Sequence, residues 1–515
     1  MVNSIQIPVR DFCYRGVRAR RSRLITRRQL LEGGLAATGG LAVLGAGHLR
    51  AEAEDQNPWA RLADKTASYG AVRPPSFARA LPIPPVKRPT RTGPQGDEID
   101  LVLCPGSGQP LPGAATPILG FDGIWPGPTI LATRGRPTLV TVKNGLGESA
   151  NVHNHGHHAP ATSDGHPLHT IKPGESRLYT YPNNQTGGTY WYHDHTFGLT
   201  GAHLFRGLGA LYIIRDPAED ALGLPTGEHD VPILIQDRLF DANNGLEYTV
   251  DAGTTFTGVL GNTLCANGVH TPFFQVAARR YRFRFVNGAN SRNLRLALGN
   301  GDPIVQIASD GSLLSAPLIQ TSVELAASER ADCIIDFGRL KTGSSVVLRN
   351  LDPTWPELPD VLRFDVVRRE NDESRVPERL ADVPRIPEHE AVKKHRRLRF
   401  QLADGKWTIN GLRYDPARID FRVKLGTTEI WEIENGEQTQ MHPFHQHMVP
   451  FQVLDINGAP PPPAHRGWKD SVAIPPAGRA RLIMRFYDYT GTYVFHCHKL
   501  EHEDHAMMLQ QEVVA

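Results

Sequence analysis

Three segments of the chain alternate apolar and polar residues in a similar way, and each ends in Asn-Gly. They cover residues 135–145, 280–288 and 426–436, and their Asn-Gly pairs are 143 and 148 residues apart. A period of two that closes on Asn-Gly predicts a half-buried strand leading into a turn. Steps of this length correspond to one domain each. We therefore predict an all-β chain with three related units.

The outer two units share a second strand that the middle unit lacks. Residues 188–195 match residues 491–498 in frame, and both segments end in His-X-His. Because the middle unit has no such ending, we interpret it as a spacer without metal. The chain is rich in glycine and proline, with 49 and 41 residues respectively, which favours short strands and turns over long helices.

Changes in composition predict where the units begin and end. A chain of 515 residues is too long for one hydrophobic core. We predict a signal peptide over residues 1–53, a Pro/Arg-rich segment over 54–95 that wraps around the first unit, a first domain over 96–217, a spacer domain over 226–368, a linker over 369–396 and a third domain over 397–515.

Charge is unevenly distributed along the chain. Residues 1–53 carry nine arginines and three acidic residues and so contribute +6. Since the total net charge is +2, the rest of the chain carries −4. An acidic body argues against a nucleic-acid partner. Arg27-Arg28 and the weakly apolar stretch up to Gly47 resemble a twin-arginine export signal, which predicts a periplasmic or extracellular protein. A basic cytoplasmic N-terminus is the alternative.

No later stretch approaches the about 20 apolar residues that a membrane span needs, so we expect no membrane span. A monomer is expected as well. Outside the predicted signal, Cys104, Cys265 and Cys333 are too few for a disulfide framework, although one disulfide among them stays open. Cys497 is assigned to metal binding below.

Histidines are concentrated in the outer two units. Four His-X-His pairs, at 153/155, 193/195, 445/447 and 496/498, offer eight imidazoles. Residues i and i+2 of a strand point to the same face, so each pair presents both rings on one side. Eight nitrogen donors without a thiolate suit copper better than structural zinc, which closes with four ligands.

The last cluster carries a second signal. Cys497 lies between two of these histidines, so its sulfur faces the opposite side of the strand. On that side His442, His502 and Met507 supply two nitrogens and a thioether, and this combination defines a blue-copper electron-transfer site. One three-residue stretch therefore joins a one-electron centre to a multicopper cluster. Four-electron reduction of dioxygen to water requires such a connection.

The motifs His-X-His-Gly, His-X-His, His-Pro-X-His-X-His and His-Cys-His-X3-His-X4-Met occur in this order, and through them residues 80–515 resemble the multicopper oxidases. Residues 191–195 and 496–504 look most like bacterial spore-coat laccases and bilirubin oxidases. The resemblance implies three cupredoxin-like Greek-key β-sandwich domains and four copper ions per chain. It assigns the type 1 copper to His442, Cys497, His502 and Met507, the type 2 copper to His153 and His445, and the type 3 pair to His155, His193, His195, His447, His496 and His498.

The resemblance also implies roles around the copper ligands. His502 is expected to lie nearest to solvent and to receive electrons from the substrate. Asp164 and Glu503 are expected to supply protons for dioxygen reduction, although Asp164 also fits a turn residue in Ser-Asp-Gly. Asp470 is either structural or lines the substrate pocket. The other histidines of these regions, at 157, 158, 166, 169, 203, 465 and 505, are expected mostly in loops or at the surface.

These features predict a laccase-like, copper-dependent oxidoreductase that oxidises phenols or aromatic amines with dioxygen. Oxidation of Cu(I) or Mn(II), or of bilirubin, is the alternative. Cuprous oxidases carry a methionine-rich insert near the type 1 site, whereas only Met507-Met508 are adjacent among the 6 methionines of this chain. An inactive exported scaffold or a copper-storage protein would not need the complete set of ligands joined through Cys497.

Overall fold

The computed structural model of the protein describes residues 75–353 and 359–515. The predicted signal peptide and the first part of the wrapping segment lie outside the described residues. In the part that is described, strands dominate, and the longest helix has 7 residues. None of the described helices is long and apolar enough to cross a membrane.

The strands fall into three consecutive sets. The first unit contains β1 (Val86–Lys87), β2 (Arg91–Gly93), β3 (Gly96–Gly108), β4 (Thr116–Phe121), β5 (Thr129–Thr133), β6 (Thr138–Asn144), β7 (His153–His155), β8 (Ser176–Tyr181), β9 (Gly188–His193) and β10 (Gly209–Arg215). The middle unit contains β11 (Asp230–Arg238), β12 (Thr263–Ala266), β13 (Val269–His270), β14 (Phe273–Ala278), β15 (Arg280–Asn287), β16 (Leu294–Leu298), β17 (Ile304–Ser309), β18 (Ser312–Gln320), β19 (Val323–Leu325), β20 (Arg330–Asp336), β21 (Ser345–Asn350) and β22 (Asp360–Arg369). The third unit contains β23 (Ala391–Ala403), β24 (Lys406–Ile409), β25 (Phe421–Lys424), β26 (Thr428–Asn435), β27 (His442–Gln446), β28 (Phe451–Ile456), β29 (Ser471–Ile474), β30 (Arg479–Arg485), β31 (Gly491–Cys497) and β32 (Met508–Val514).

Short helices connect some of these strands. The α-helices of the described chain are α1 (Thr200–Arg206), α2 (Pro217–Asp220), α3 (Ala252–Thr257) and α4 (Leu500–Asp504), and 3₁₀ turns cover Gly227–His229, Glu388–Glu390 and Pro463–His465.

Each unit consists of two sheets with a hydrophobic core between them. The strand orders are β1-β5-β10-β9-β7 and β2-β3-β6-β8 in the first unit, with β4 paired to β3; β13-β12-β11-β15-β20-β17-β18 and β14-β22-β21-β16-β19 in the middle unit; and β24-β23-β26-β30-β28 and β25-β32-β31-β27-β29 in the third. In the first unit, for example, Leu101 of β3 and Tyr212 of β10 belong to one buried cluster. The predicted all-β fold with cupredoxin-like domains is confirmed.

The three Asn-Gly segments form the same local structure. Strands β6, β15 and β26 end at Asn144, Asn287 and Asn435, and each pairs in parallel with the first long strand of its unit. Each buried asparagine donates from its side-chain amide to two backbone carbonyls and accepts the backbone N–H two residues further on. These hydrogen bonds fix the turn that follows the strand, because a buried amide without partners would be costly.

The described part of the N-terminal segment contacts two units. The backbone N–H groups of Phe77 and Leu81 donate to the carbonyls of Thr271 and Phe273 in the middle unit. Strand β1 then adds to the first unit by pairing in parallel with β5. The segment therefore contacts the middle unit as well as the first unit around which it was predicted to wrap.

Candidate metal centre

The first and third units each place two histidine-bearing strands side by side. In the first unit β7 pairs with β9, so that His153 lies opposite His193. In the third unit β27 pairs with β31, so that His445 lies opposite His496. Helix α4 follows β31 after two residues and carries His502. The repeated sequence pattern thus produces two similar edges, each with histidines on one face.

The eight imidazoles meet in one buried cluster. Within the His-X-His pairs the ring centroids are 4.9 to 5.7 Å apart, as expected for side chains on one face. Between the units, His153 stacks on His447 with centroids 3.8 Å apart, and His155 stacks on His445 at 3.7 Å. All eight rings are buried. The structure therefore brings together every histidine that the sequence predicted for the cluster.

The nitrogen atoms of this cluster fit metal ions. Donor atoms of His153, His445 and His447 lie within 4.8 Å of one another, and so do those of His195, His447 and His496. Nε2 of His193 and both ring nitrogens of His498 are buried without a hydrogen-bond partner among the described residues. Burial lowers the pKa of seven of these histidines, to about 4 for His193 and well below the usual value for the six at positions 153, 155, 195, 445, 447 and 498. Neutral imidazoles with free lone pairs are the form that binds copper.

Two carboxylates contact the outward nitrogens of these rings. Oδ2 of Asp164 lies 2.9 Å from Nδ1 of His447, and the backbone carbonyl oxygen of Asp164 lies 2.5 Å from Nδ1 of His153. The oxygens of Glu503 lie 3.3 Å from Nδ1 of His195 and 3.1 Å from Nδ1 of His496. Acceptors on Nδ1 favour the tautomer that keeps Nε2 available to a metal. Burial raises the pKa of Asp164 well above its usual value.

Asp470, whose role the sequence left open, contacts the cluster directly. Its Oδ1 lies 3.0 Å from Nε2 of His155, while Nδ1 of that ring is buried without a partner. His155 thus presents Nδ1 to the cluster, whereas the rings beside Asp164 and Glu503 present Nε2. Both terminal nitrogens of Arg330 lie 2.6 Å from the Asp470 carboxylate. Asp470 therefore positions a predicted ligand, and it is held in turn by an arginine.

Arg330 was missed by the sequence analysis. It is fully buried and starts strand β20 of the middle unit. It also donates to the backbone carbonyls of Thr189 and Asp310. The signal available in the sequence was an arginine at the start of the largely apolar strand 330–336. The unit that contains it was interpreted only as a spacer. The middle unit thus supplies a charged side chain to the histidine cluster.

Cys497 lies on the other face of β31. Its Sγ is 3.4 Å from Nδ1 of His442 and 3.6 Å from Nδ1 of His502. Met507 packs in the same buried core as the cysteine. Burial lowers the pKa of both histidines well below the usual value and raises the pKa of Cys497 to about 12. A bound cation would favour the thiolate, so these residues fit the predicted blue-copper site.

The expectation that His502 lies nearest to solvent stays a prediction, because neither histidine beside Cys497 is itself exposed. Both His502 and His442 have 0% of their surface exposed. Nε2 of His502 lies 3.0 Å from the carbonyl oxygen of Phe256 in helix α3, and Trp407 stacks on the same ring with centroids 4.7 Å apart. The covering residues come from distant parts of the chain, so no local pattern around His502 predicted them.

The structure also places the remaining histidines and cysteines. Four of these histidines are buried: those at 157, 158 and 166 lie in loops, as expected, whereas His203 lies in helix α1. His157, for example, lies 4.9 Å from Tyr181 and 5.3 Å from Tyr212 between ring centroids. Among the described residues no disulfide joins Cys104, Cys265 and Cys333; all three are buried, and Cys265 and Cys333 are free thiols.

Comparisons with known proteins agree with this site. Two family models, both described as multicopper oxidase, match this chain, one over residues 105–219 and the other over residues 385–515. A laccase from Bacillus subtilis strain 168 is 33% identical over 510 residues, covering 85% of this chain and 98% of the laccase. A bilirubin oxidase from Albifimbria verrucaria is 35% identical, covering 84% of this chain and 80% of that protein. The crystal structure of a laccase from Pediococcus acidilactici Pa5930 matches with a TM-score of 0.80 at 30% identity, covering 86% of this chain and 95% of that one.

Proposed function

Because this chain belongs to the multicopper oxidase family, we propose that its residues bind four copper ions, one of type 1, one of type 2 and a type 3 pair. The enzyme is a laccase-like, copper-dependent oxidoreductase that uses dioxygen as acceptor. The proposed type 1 ligands are His442, Cys497, His502 and Met507; the proposed type 2 ligands are His153 and His445; the proposed type 3 ligands are His155, His193, His195, His447, His496 and His498.

One observation carries the proposal. The sulfur of Cys497 lies within 3.4 Å of His442 Nδ1 and 3.6 Å of His502 Nδ1, while the adjacent His496 has its Nε2 3.2 Å from Nε2 of His195 in the cluster. A single strand therefore presents a thiolate site on one face and an imidazole site on the other. Two metal sites joined by three consecutive residues favour electron transfer over copper storage.

Copper bound at these sites supplies one-electron oxidation of the reductant and four-electron reduction of dioxygen to water. The chain supplies the surroundings. Asp164 and Glu503 orient the ligand rings through Nδ1, and their carboxylates lie close enough to the cluster to hold and donate protons. Asp470 orients His155 in the opposite sense. The buried position of all these groups excludes bulk water from the ligands.

We propose phenols and aromatic amines as the reductants. The relatives named above as laccase and bilirubin oxidase support organic aromatic donors, and bilirubin itself is the second candidate. Oxidation of Cu(I) or Mn(II) is a further candidate, of which Cu(I) is the less well supported. The segment that covers the type 1 site, residues 251–259, contains no methionine or cysteine with which to bind a soft metal ion.

Export and assembly are further parts of the proposal. Arg27-Arg28 and the stretch that follows support export through a twin-arginine pathway to the periplasm or the outside of the cell. Domain boundaries at residues 96–217, 226–368 and 397–515 agree with the sequence pattern, and we propose a monomer. Export is tested by fractionating cells that produce the parent chain or an Arg27→Lys, Arg28→Lys variant.

The experiment that tests the copper sites starts from the copper-loaded protein. We expect four copper ions per chain, an intense thiolate-to-copper absorption, and dioxygen consumption with a phenol. A panel of phenols, aromatic diamines, bilirubin, Cu(I) and Mn(II) then ranks the reductants. Cys497→Ser should lose the absorption, whereas Cys333→Ser, which alters another buried free thiol, should keep it. Persistence of the blue absorption in Cys497→Ser would contradict the assignment.

A further inference from the structure

A short segment of the middle unit closes over the type 1 site. We name residues 251–259 the cover segment; it contains helix α3 and is anchored at its C-terminal end by the third unit. The carbonyl of Phe256 accepts from Nε2 of His502 at 3.0 Å, and the carbonyl of Thr257 accepts from Nζ of Lys499 at 3.5 Å. The backbone N–H of Val259 bonds to Glu501. Residues 256, 257 and 259 of the cover segment are thus each hydrogen-bonded to the stretch 499–502, which contains His502.

Aromatic rings complete the cover. Phe256 is half-buried, and its ring stacks on Trp407 with centroids 5.2 Å apart. Trp407 is only 2% exposed and lies 4.7 Å from both His502 and His442 between ring centroids. A molecule in solvent therefore meets the outer part of the cover segment and the edge of Phe256, not a copper-ligating histidine.

The hydrogen bond to Phe256 has a chemical consequence. Nδ1 of His502 faces the sulfur of Cys497, so a copper ligand at Nδ1 leaves the proton on Nε2. That N–H is the one donor the ring can offer, and the carbonyl of Phe256 already accepts it. A phenol that docks by hydrogen bonding to His502 must therefore displace the cover segment first.

We propose that the cover segment determines which reductants reach the type 1 site: phenols require it to lift, whereas outer-sphere ionic reductants transfer electrons across Phe256 and Trp407 while it stays closed. This inference rests on the proposed function. A phenol gives up one electron to the oxidised type 1 copper and releases its hydroxyl proton to water. Hexacyanoferrate(II) gives up one electron and no proton, so it needs no hydrogen bond to His502.

Glycine at position 258 allows the cover segment to adopt its closed position over the type 1 site. Its φ is 84° and its ψ is 161°, a conformation that is essentially restricted to glycine. A Cβ at this position would lie 1.9 Å from Oγ of Ser291. At the other end of the segment, exposed Asp251 begins helix α3 with a capping box to Thr254. The closed position therefore depends on a glycine and a cap that do not contact the copper ligands.

Two glycine substitutions in one segment give a matched test. Gly258→Ala introduces both the strained conformation and the clash with Ser291. It should therefore raise the population of the lifted position about tenfold. Gly253→Ala places its Cβ only against Oδ1 of Asp251, at 3.3 Å, and it should leave the segment closed. Asp251→Ala removes the cap and should favour the lifted position about fivefold, which provides a second opening variant if Gly258→Ala fails to fold.

Two readouts separate the cover segment from the copper chemistry. In the copper-free proteins, hydrogen–deuterium exchange over residues 250–262 and labelling of His502 by diethyl pyrocarbonate report directly whether the segment lifts. In the copper-loaded proteins, anaerobic bleaching of the blue absorption by 2,6-dimethoxyphenol is compared with bleaching by hexacyanoferrate(II). Because both donors reduce the same site, a change in its reduction potential alters both rates, and their ratio isolates access.

We expect Gly258→Ala to label His502 faster and to bleach about tenfold faster with the phenol, with the hexacyanoferrate(II) rate within roughly twofold of the parent. Gly253→Ala should match the parent. Equal labelling of His502 in the parent and the opening variants, or an unchanged ratio of the two rates despite faster exchange, would overturn the inference. The proposed function fails separately, through absence of the blue absorption or of dioxygen consumption in the parent.

Discussion

Replacing Arg330 with methionine tests whether the middle unit stabilises the histidine cluster. The guanidinium is fully buried, and both of its terminal nitrogens lie 2.6 Å from the carboxylate of Asp470. Arg330→Met removes the cation and keeps much of the side-chain volume. The Asp470 carboxylate keeps only neutral partners, Nε2 of His155 at 3.0 Å and Oγ of Ser471 at 3.1 Å. A buried charge without its counter-charge is the dominant cost of this change.

The expected loss is about 3–5 kcal/mol, the range for breaking a buried ion pair by removing one partner. Urea unfolding of the copper-free protein measures it, so that metal binding does not add to the stability. The double variant Arg330→Met, Asp470→Asn removes the stranded charge and should recover about 1–3 kcal/mol, since a neutral amide still bonds to its neighbours. Arg379→Met is the matched control. Its guanidinium is 76% exposed and its partner Asp382 is 82% exposed, so it should change stability by less than about 1 kcal/mol.

The reasoning also predicts a change in the copper-loaded protein. His155 depends on Asp470 for its orientation, so the near-ultraviolet absorption of the type 3 copper pair should change in Arg330→Met while the blue absorption at Cys497 stays. A loss of stability no larger than that of Arg379→Met would refute the buried-charge argument. Failure of the double variant to regain stability would refute the claim that Asp470 is the group left unpaired.

Three further predictions concern protons and the fold. Asp164→Asn and Glu503→Gln should each slow turnover at saturating reductant and limiting dioxygen while the blue absorption stays, and unchanged turnover would reject their role in proton supply. The copper-free protein should lose stability as the pH falls from about 6.5 to 5, because buried histidines with lowered pKa values stay neutral while the unfolded chain takes up protons, at about 1.4 kcal/mol per pH unit for each histidine. Thermal unfolding across this pH range checks whether stability falls with the pH. The raised pKa of Asp164 opposes this loss of stability only in part. Asn287→Ala should destabilise the protein by about 2 kcal/mol or more, because two backbone carbonyls lose a buried donor, whereas exposed Asn243→Ala should have little effect in the same urea assay.

Features that depend on residues close together in the sequence were predictable. The alternation of side chains along a strand has a fixed period, so His-X-His pairs had to place two rings on one face and Cys497 on the other. The Asn-Gly signal located the ends of three strands for the same local reason. The contact of the Asp164 backbone carbonyl with Nδ1 of His153 is also local, because the two residues lie 11 positions apart.

Features that depend on tertiary contact were not predictable from one chain. Arg330 reaches Asp470 across 140 residues, and Phe256 reaches His502 across 246 residues. Neither residue belongs to a motif, and Arg330 in an apolar strand has many uses besides support of a metal site. The burial of His502 is the clearest case, since residues far from it in the chain determine its exposure.

Both missed residues belong to the unit interpreted as a spacer. Arg330 contacts the cluster side of the third unit through Asp470, and the cover segment contacts the type 1 side through His502. A unit with no predicted metal ligand thereby helps to orient a proposed cluster ligand and covers the proposed type 1 site. A rigid spacer would need neither the buried cation nor Gly258, whose conformation is costly for any other residue. The middle unit is therefore part of both sites, and sequence changes within it should alter reductant selectivity and cluster stability through separate residues.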